Sequence, residues 1–231
     1  MQKKMIKHLK YAAEFVLELV YPELCMFCGE ALDVEREEKR YLTCLQCLVT
    51  LPIISYQENG RYCLLSYEGQ TEQLIKRFKY SGAKRQAYSA GLLMAKWADF
   101  AALEEVDAAL PVPLHIKRLK QRGYNQAEVI CRALAVEKGI PILTGLKRVK
   151  ETQALFGLTV EQREKAVTGA FEFMAQAGEL DIQGKTLLLV DDILTTGATL
   201  NECAKVLKKC GAKQVYCMAF AYTELTQWGA E

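Results

Sequence analysis

Four of the chain's nine cysteines fall as Cys25-x2-Cys28 and Cys44-x2-Cys47, with fifteen residues between the pairs. Two thiolates separated by two residues face one ion from a single turn, and two such turns complete a tetrahedron. The segment between the pairs is polar and rich in Glu and Arg, so metal binding is expected to supply folding free energy that burial there cannot. The expectation is a zinc ribbon or knuckle ligated by Cys25, Cys28, Cys44 and Cys47. An iron–sulfur centre is the alternative metal assignment, and a pair of disulfides or free buried thiols is the alternative without metal. The other five, Cys63, Cys131, Cys203, Cys210 and Cys217, sit singly in apolar patterns and read as core filler.

A second constellation spans Leu187-Leu188-Leu189-Val190-Asp191-Asp192-Ile193-Leu194-Thr195-Thr196-Gly197-Ala198-Thr199. An apolar strand delivers two carboxylates, and a small hydroxyl-rich turn then opens a helix. Ligands of open α/β sheets bind off the carboxyl edge of the strands. Gly197 lets backbone approach an anion, Thr195, Thr196 and Thr199 offer hydroxyl donors, and the first free N–H groups of the expected Leu200–Lys209 helix aim partial positive charge at a phosphate. Two acids beside a phosphate need another task, and accepting hydrogen bonds from the 2- and 3-hydroxyls of a ribose, with Mg²⁺ nearby, is the task assigned to Asp191 and Asp192. The nearby Gly178 to Gly184-Lys185-Thr186 looks like a phosphate loop, but its glycines are spaced by one residue too many and a strand follows.

These residues need a scaffold, and the chain predicts one. Its 231 residues suffice for one α/β domain plus a small appendage. A net charge of only +2 does not by itself argue for nucleic acid. Basic residues do cluster, at Lys3 to Lys10, at Lys76, Arg77, Lys79, Lys84 and Arg85, and at Lys117, Arg118, Lys120 and Arg122. At the start, Ile6, Leu9, Ala13, Val16, Leu17 and Val20 share one helical face while Glu14 and Glu18 interrupt the apolar run. Residues 1–20 are therefore expected to be an amphipathic helix rather than a leader or a membrane span, packed on the protein or lying against a membrane surface.

Beyond the cysteine module, placed at 21–55, strand-like and helix-like segments alternate through 56–231, the signature of a mainly parallel sheet with helices on both faces. Strands are expected at Cys63–Tyr67, Val106–Val112, Ile140–Leu143, Thr186–Val190 and Gln214–Ala221. Helices are expected from Thr71, over Ala87–Phe100, over Gln126–Glu137 and over Leu200–Lys209. Lys150–Thr168 reads as a polar loop.

On these residues the Leu187–Thr199 segment resembles the phosphoribosyl-pyrophosphate motif of type I phosphoribosyltransferases along its whole length. With the four cysteines, Pro111-Val112-Pro113-Leu114-His115, Arg122-Gly123-Tyr124-Asn125-Gln126, the surroundings of Thr152 and Gln153, and Arg163 through Gly169-Ala170-Phe171, the chain is similar to the ComF family from about Tyr21 onward. Ala166 departs from the asparagine that the pattern leads one to expect. The resemblance implies a type I phosphoribosyltransferase fold with a small zinc module. It also implies a pyrophosphate-side turn at Pro111–His115, including Pro113, and a loop over the reacting centre at Lys150–Thr168. Arg118 and Arg122 are then the nearest cations to balance the leaving pyrophosphate, with Lys117 or Lys79 as substitutes, and His115 is structural.

Three functions follow as expectations. By resemblance, the chain is a cytoplasmic accessory of DNA uptake in natural competence, possessing sites for phosphoribosyl pyrophosphate, Mg²⁺ and single-stranded DNA, and working with an ATP-dependent DNA translocase at the inner face of the membrane. The alternatives are a phosphoribosyltransferase of nucleobase or nucleotide metabolism, and a sensor that keeps the pocket without turnover.

Overall fold

A computed structural model describes residues 22–32, 36–58, 60–97, 104–152, 158–175 and 181–223. The expected helix over residues 1–20 lies outside them. The chain divides into two compact units, one ending at Leu51 and one beginning at Pro52.

The first unit is built around tight turns. Cys25 to Gly29 forms a knuckle, closed by Gly29 N donating to Cys25 O at 3.0 Å and Cys25 N to Glu30 O at 2.8 Å, and a bridge pairs Leu24 with Ala31. Two six-residue helices follow, α1 (Arg36–Tyr41) and α2 (Leu45–Thr50). The polar segment between the cysteine pairs buries more than its composition suggests, since Leu32, Tyr41, Leu42 and Thr43 are all buried.

The second unit is a five-stranded sheet in the order β1 (Ile53–Glu58), β2 (Arg61–Ser66), β7 (Gln214–Tyr222), β6 (Thr186–Leu194), β3 (Ala108–Pro111). All neighbours are parallel except β1, which forms an antiparallel hairpin with β2 at one edge. Parallel neighbours need crossovers, and the sequence supplies them as α3 (Gly69–Tyr80), α4 (Lys84–Trp97), α5 (Ile116–Arg122), α6 (Gln126–Lys138) and α8 (Ala198–Lys209). A two-stranded hairpin of β4 (Leu146–Arg148) and β5 (Phe171–Phe173) flanks α7 (Val160–Val167).

Side-chain alternation sorts the two faces. Leu187, Leu189, Val215, Cys217 and Ala219 cluster with Leu200, Cys203 and Leu207 of α8, while on the other face Phe220 meets Phe78 of α3 at 6.3 Å between ring centres. β6 is buried over its first five residues, so hydrophobic burial fixes its register and carries Asp191 and Asp192 to the carboxyl edge.

The mainly parallel α/β architecture expected from the sequence is the one observed, with local corrections. Ile140–Leu143 makes only a single bridge, Ile142 to Ala109, because Pro141 supplies an acceptor but no donor for a ladder. Lys150–Thr168 is not a loop throughout. Thr159 caps α7 in a reciprocal box with Gln162, a local signal sufficient to start a helix in a polar stretch, whereas 153–157 fall outside the described residues. β1, α5, β4 and β5 were not anticipated, and β6 runs on through both acids to Leu194.

Candidate functional site

β6 and β3 end side by side. Val112 N donates to Val190 O at 2.9 Å, so the turn Pro111–His115 leaves the sheet beside Asp191 and Asp192. The turn is held from behind, because the buried Asn125 donates its side-chain amide to Val112 O at 2.9 Å. Gly123, at φ 75°, ends α5 in the left-handed region and lets the chain reverse into Tyr124 and Asn125. Tyr124 donates its hydroxyl to Phe78 O at 2.6 Å, which fixes the last turn of α3. The segment Arg122 to Gln126 is thus a clamp joining three elements of the site. His115 N-caps α5, its Nδ1 accepting from Lys117 N at 3.4 Å, a structural role as expected.

The turn after β6 has the geometry of an anion seat. Gly197 sits at φ 77° as the N-cap of α8, and the first intrahelical bond runs from Asn201 N to Gly197 O at 2.8 Å. The amides just before it have no acceptor within the helix and face outward along its axis. Thr196 Oγ1 accepts from Ala198 N at 3.2 Å and shapes the turn. A Cβ on Gly197 would lie 3.2 Å from the Arg61 guanidinium carbon, so the glycine serves both the conformation and a close approach.

The acids sit in contrasting surroundings. Asp192 is only 7% exposed, and its Oδ2 makes no hydrogen bond but lies 3.4 Å from Lys79 Nζ of α3. Asp191 Oδ1 accepts from Asp192 N at 2.8 Å. Burial, reinforced by the neighbouring Asp192 charge, raises the Asp191 carboxyl well above its ordinary range. Both acids are therefore poised to gain from polar partners arriving with a ligand.

Around them stands an excess of cations. Arg163 of α7 is 5% exposed, donates Nε to Leu158 O at 3.0 Å and Nη1 to Thr195 Oγ1 at 2.8 Å, and has no carboxylate partner among the described residues. Burial lowers its pKa, the direction expected of an uncompensated cation. Arg118 donates to Thr152 O at 3.1 Å, and Arg148 of β4 bonds the Thr152 hydroxyl while stacking 5.2 Å above the Phe171 ring. Desolvation is the main cause of the lowered pKa of both arginines, and each also feels another guanidinium. Arg122 lies 6.0 Å over the Tyr80 ring.

Of the residues singled out in the sequence, Asp191, Asp192, Thr195, Thr196, Gly197, Ala198 and Thr199 fall together by chain continuity, and Pro113 stands on the adjoining turn. Neither Arg118 nor Arg122 makes an ion pair with the acids among the described residues. Lys79, named only as a substitute, is the cation that does. Arg148 carries no sequence signal, and Arg163 carries one only as part of a recurring segment.

In the first unit, the four cysteine sulfurs all lie within 4.8 Å of one another, with Cys28 and Cys44 Sγ at 3.7 Å. Tetrahedral thiolates about 2.3 Å from a common ion stand about 3.8 Å apart, whereas a disulfide would need about 2.05 Å. Cys44 N-caps α2, and backbone amides of Cys44 and Cys47 donate to Cys25 and Cys44 sulfurs at 3.4 Å, orienting the lone pairs inward. Burial and the adjacent thiols raise the Cys47 pKa, a penalty that a bound cation relieves. The cluster fits a metal.

Residues 119–227 match the family model of the phosphoribosyl transferase domain. Competence protein F of Haemophilus influenzae is 37% identical over 116 residues, 50% of each chain. The DNA utilization protein YhgH of Salmonella typhimurium is 31% identical over 149 residues, 63% of each chain. The match thus spans about half to five-eighths of the length of these relatives. Among solved structures, adenine phosphoribosyltransferase from Saccharomyces cerevisiae is 16% identical with a TM-score of 0.38, covering 67% of this chain and 76% of that one. Among the described residues no helix is long and apolar enough to cross a membrane.

Proposed function

We propose that this chain, which carries a phosphoribosyl transferase domain and is homologous to competence protein F and DNA utilization protein YhgH, binds phosphoribosyl pyrophosphate and serves in the handling of incoming single-stranded DNA. The observation that carries the binding reading is Arg163, a buried guanidinium without a carboxylate partner among the described residues, hydrogen-bonded to the hydroxyl that opens the Thr195–Thr199 turn. Buried charges are retained where they are paired, and a 5-phosphate seated on this turn is the missing anion.

The amides of Thr199 and Leu200 and the threonine hydroxyls hold the phosphate. Asp191 and Asp192 accept hydrogen bonds from the ribose hydroxyls, and Lys79 Nζ stands 3.4 Å from Asp192 Oδ2 until they arrive. Arg118, Arg122 and Arg148 line the side from which the pyrophosphate is held. Mg²⁺ bound with the ligand supplies further charge neutralisation on the pyrophosphate. In a turnover, the C1–O bond breaks towards an oxocarbenium-like sugar, its electron pair leaves with pyrophosphate, whose oxyanion the arginines stabilise, and the lone pair of an acceptor closes the new bond at C1. The four thiolates of Cys25, Cys28, Cys44 and Cys47 hold zinc, which folds the first unit. A role in DNA handling is supported by the homology to competence protein F and DNA utilization protein YhgH and by the basic residues beside the site, and an ATP-dependent DNA translocase is the partner proposed with it.

Calorimetry tests the binding: phosphoribosyl pyrophosphate with Mg²⁺ binds the parent chain and fails to bind Asp191→Asn. In cells, Asp191→Ala loses transformation while growth on minimal medium stays normal. A purine or pyrimidine requirement instead would turn the reading towards metabolism, and binding without consumption across candidate acceptors would turn it towards a sensor.

A further inference from the structure

A separate cavity of about 580 Å³ opens between α8 and the start of β2, within the ~300–1,000 Å³ of small-ligand sites. Helical spacing builds one wall, because Asn201, Lys205, Lys208 and Lys209 share the face of α8 opposite the buried Cys203 and Leu207. Arg61 supplies the other wall and donates to Asn201 Oδ1 at 2.8 Å, which bridges strand and helix. Four cations therefore line the cavity, and no acidic side chain does so among the described residues. Glu202 of the same helix does not line the cavity: its Oε1 accepts from Gly169 N at 2.8 Å and its Oε2 lies 3.9 Å from Lys205 Nζ.

Lysines in the last turn of a helix complement its dipole, which accounts for Lys208 and Lys209 but not for Arg61 or Lys205. Among the described residues no aromatic ring lines the cavity, so they offer no stacking platform for successive bases of a strand. The floor, Val215 and Cys217, is apolar and lowers the local dielectric beneath the cations, which strengthens their pull on a compact anion.

We infer that this cavity is a second anion site, which takes the phosphate chain of a small di- or triphosphate-bearing molecule. Arg61 is shared with the first site, since its guanidinium stands against Gly197. An occupant that draws Arg61 into the cavity therefore changes the packing behind the phosphate turn, and the two ligands alter each other's affinity reciprocally. The site itself does not depend on the phosphoribosyl reading.

The test is calorimetric titration of sodium tripolyphosphate into the full chain at fixed ionic strength without Mg²⁺. The parent and Asp191→Asn bind it equally, and Lys208→Glu/Lys209→Glu weakens it by at least about tenfold. Lys205→Gln/Lys208→Gln/Lys209→Gln, which removes charge without reversing it, does the same with an unchanged thermal midpoint. Phosphoribosyl pyrophosphate with Mg²⁺ still binds both lysine variants, so failure of this site and failure of the first are told apart. ATP competing with tripolyphosphate supports a nucleotide as the natural source. Undiminished binding in the lysine variants overturns the inference, as does sulfate binding as tightly. An oligothymidylate that binds through these lysines and is not displaced by tripolyphosphate overturns it in favour of a DNA backbone.

Discussion

Replacing Arg163 by methionine separates a ligand-binding role from a structural one. In the free protein the guanidinium makes two hydrogen bonds, to Leu158 O and Thr195 Oγ1, at 5% exposure and without an opposing carboxylate among the described residues. Losing those bonds costs about 1–3 kcal/mol, but removing a desolvated, unpaired charge returns a similar amount, so net stability changes by about 1 kcal/mol or less. In the bound protein the same change deletes a charge-assisted contact to phosphate worth about 2–3 kcal/mol, roughly 30- to 150-fold in Kd. Thermal unfolding and calorimetry with phosphoribosyl pyrophosphate and Mg²⁺ read the two quantities. Arg163→Lys should recover only part of the affinity, since an ammonium cannot span both acceptors in a fixed fork. Affinity within twofold of the parent in Arg163→Met would refute the reasoning. A collapse of stability with unchanged affinity per folded molecule would make Arg163 a strut and nothing more.

Purified protein should contain about one zinc per chain, lost in Cys44→Ser together with cooperative unfolding of the first unit; iron with visible absorbance would overturn the metal assignment. Lys79→Met leaves the buried Asp192 side chain without its 3.4 Å partner and should destabilise by about 1–3 kcal/mol at neutral pH, read as a lowered thermal midpoint; an unchanged midpoint would show that the contact contributes nothing to stability. Asp191 has a folded pKa raised above the ordinary 3.8, chiefly by burial. Its stabilising contribution is complete below 3.8 and is lost as pH rises through the folded value. Asp191→Asn should therefore unfold at a higher temperature than the parent by a margin that widens with pH across that window, and a flat margin counts against the raised pKa. A Cβ at Gly91 would stand 2.7 Å from Ala133 Cβ and closer still to Ile130 O, where α4 crosses α6. Gly91→Ala is expected to cost about 1–3 kcal/mol by overpacking, visible as a lower denaturation midpoint without loss of zinc.

The sheet was legible wherever strands are buried on both faces. Leu187–Val190 and Val215–Ala221 are continuous apolar runs because helices cover both sides, and composition alone marks them. The strand β1 escaped because edge strands need no apolar run, and Ile53 and Ile54 are in fact exposed. β4 and β5, three residues each, are shorter than any periodicity can register, and their pairing of Leu146 with Phe173 spans a sequence gap that only tertiary packing closes. α7 lay hidden in a polar stretch, yet its Thr159 to Gln162 capping box was readable and is the one signal that length and hydropathy masked.

The candidate site divides in the same way. What lies on one strand-to-helix junction could be read directly, because chain continuity places Asp191 through Thr199 in order and local chemistry assigns each a task. What converges on that junction from elsewhere could not. Lys79 reaches Asp192 from α3 across more than a hundred residues, and its neighbours Lys76 and Arg77 have the same charge without the same direction. Arg163 is one of many arginines until its burial is known, for a cation in solvent demands no partner and a buried one does. The sequence-based choice of Arg118 and Arg122 followed proximity along the chain to the Pro111–His115 turn, whereas the geometry ties Arg118 to Thr152 and lays Arg122 over Tyr80. Those two are therefore free to turn towards a pyrophosphate only by giving up contacts they already have, while Arg163 is already held at the Thr195–Thr199 turn by its bond to Thr195 Oγ1. Ligand affinity should accordingly depend more steeply on Arg163 than on either arginine that the linear sequence put forward.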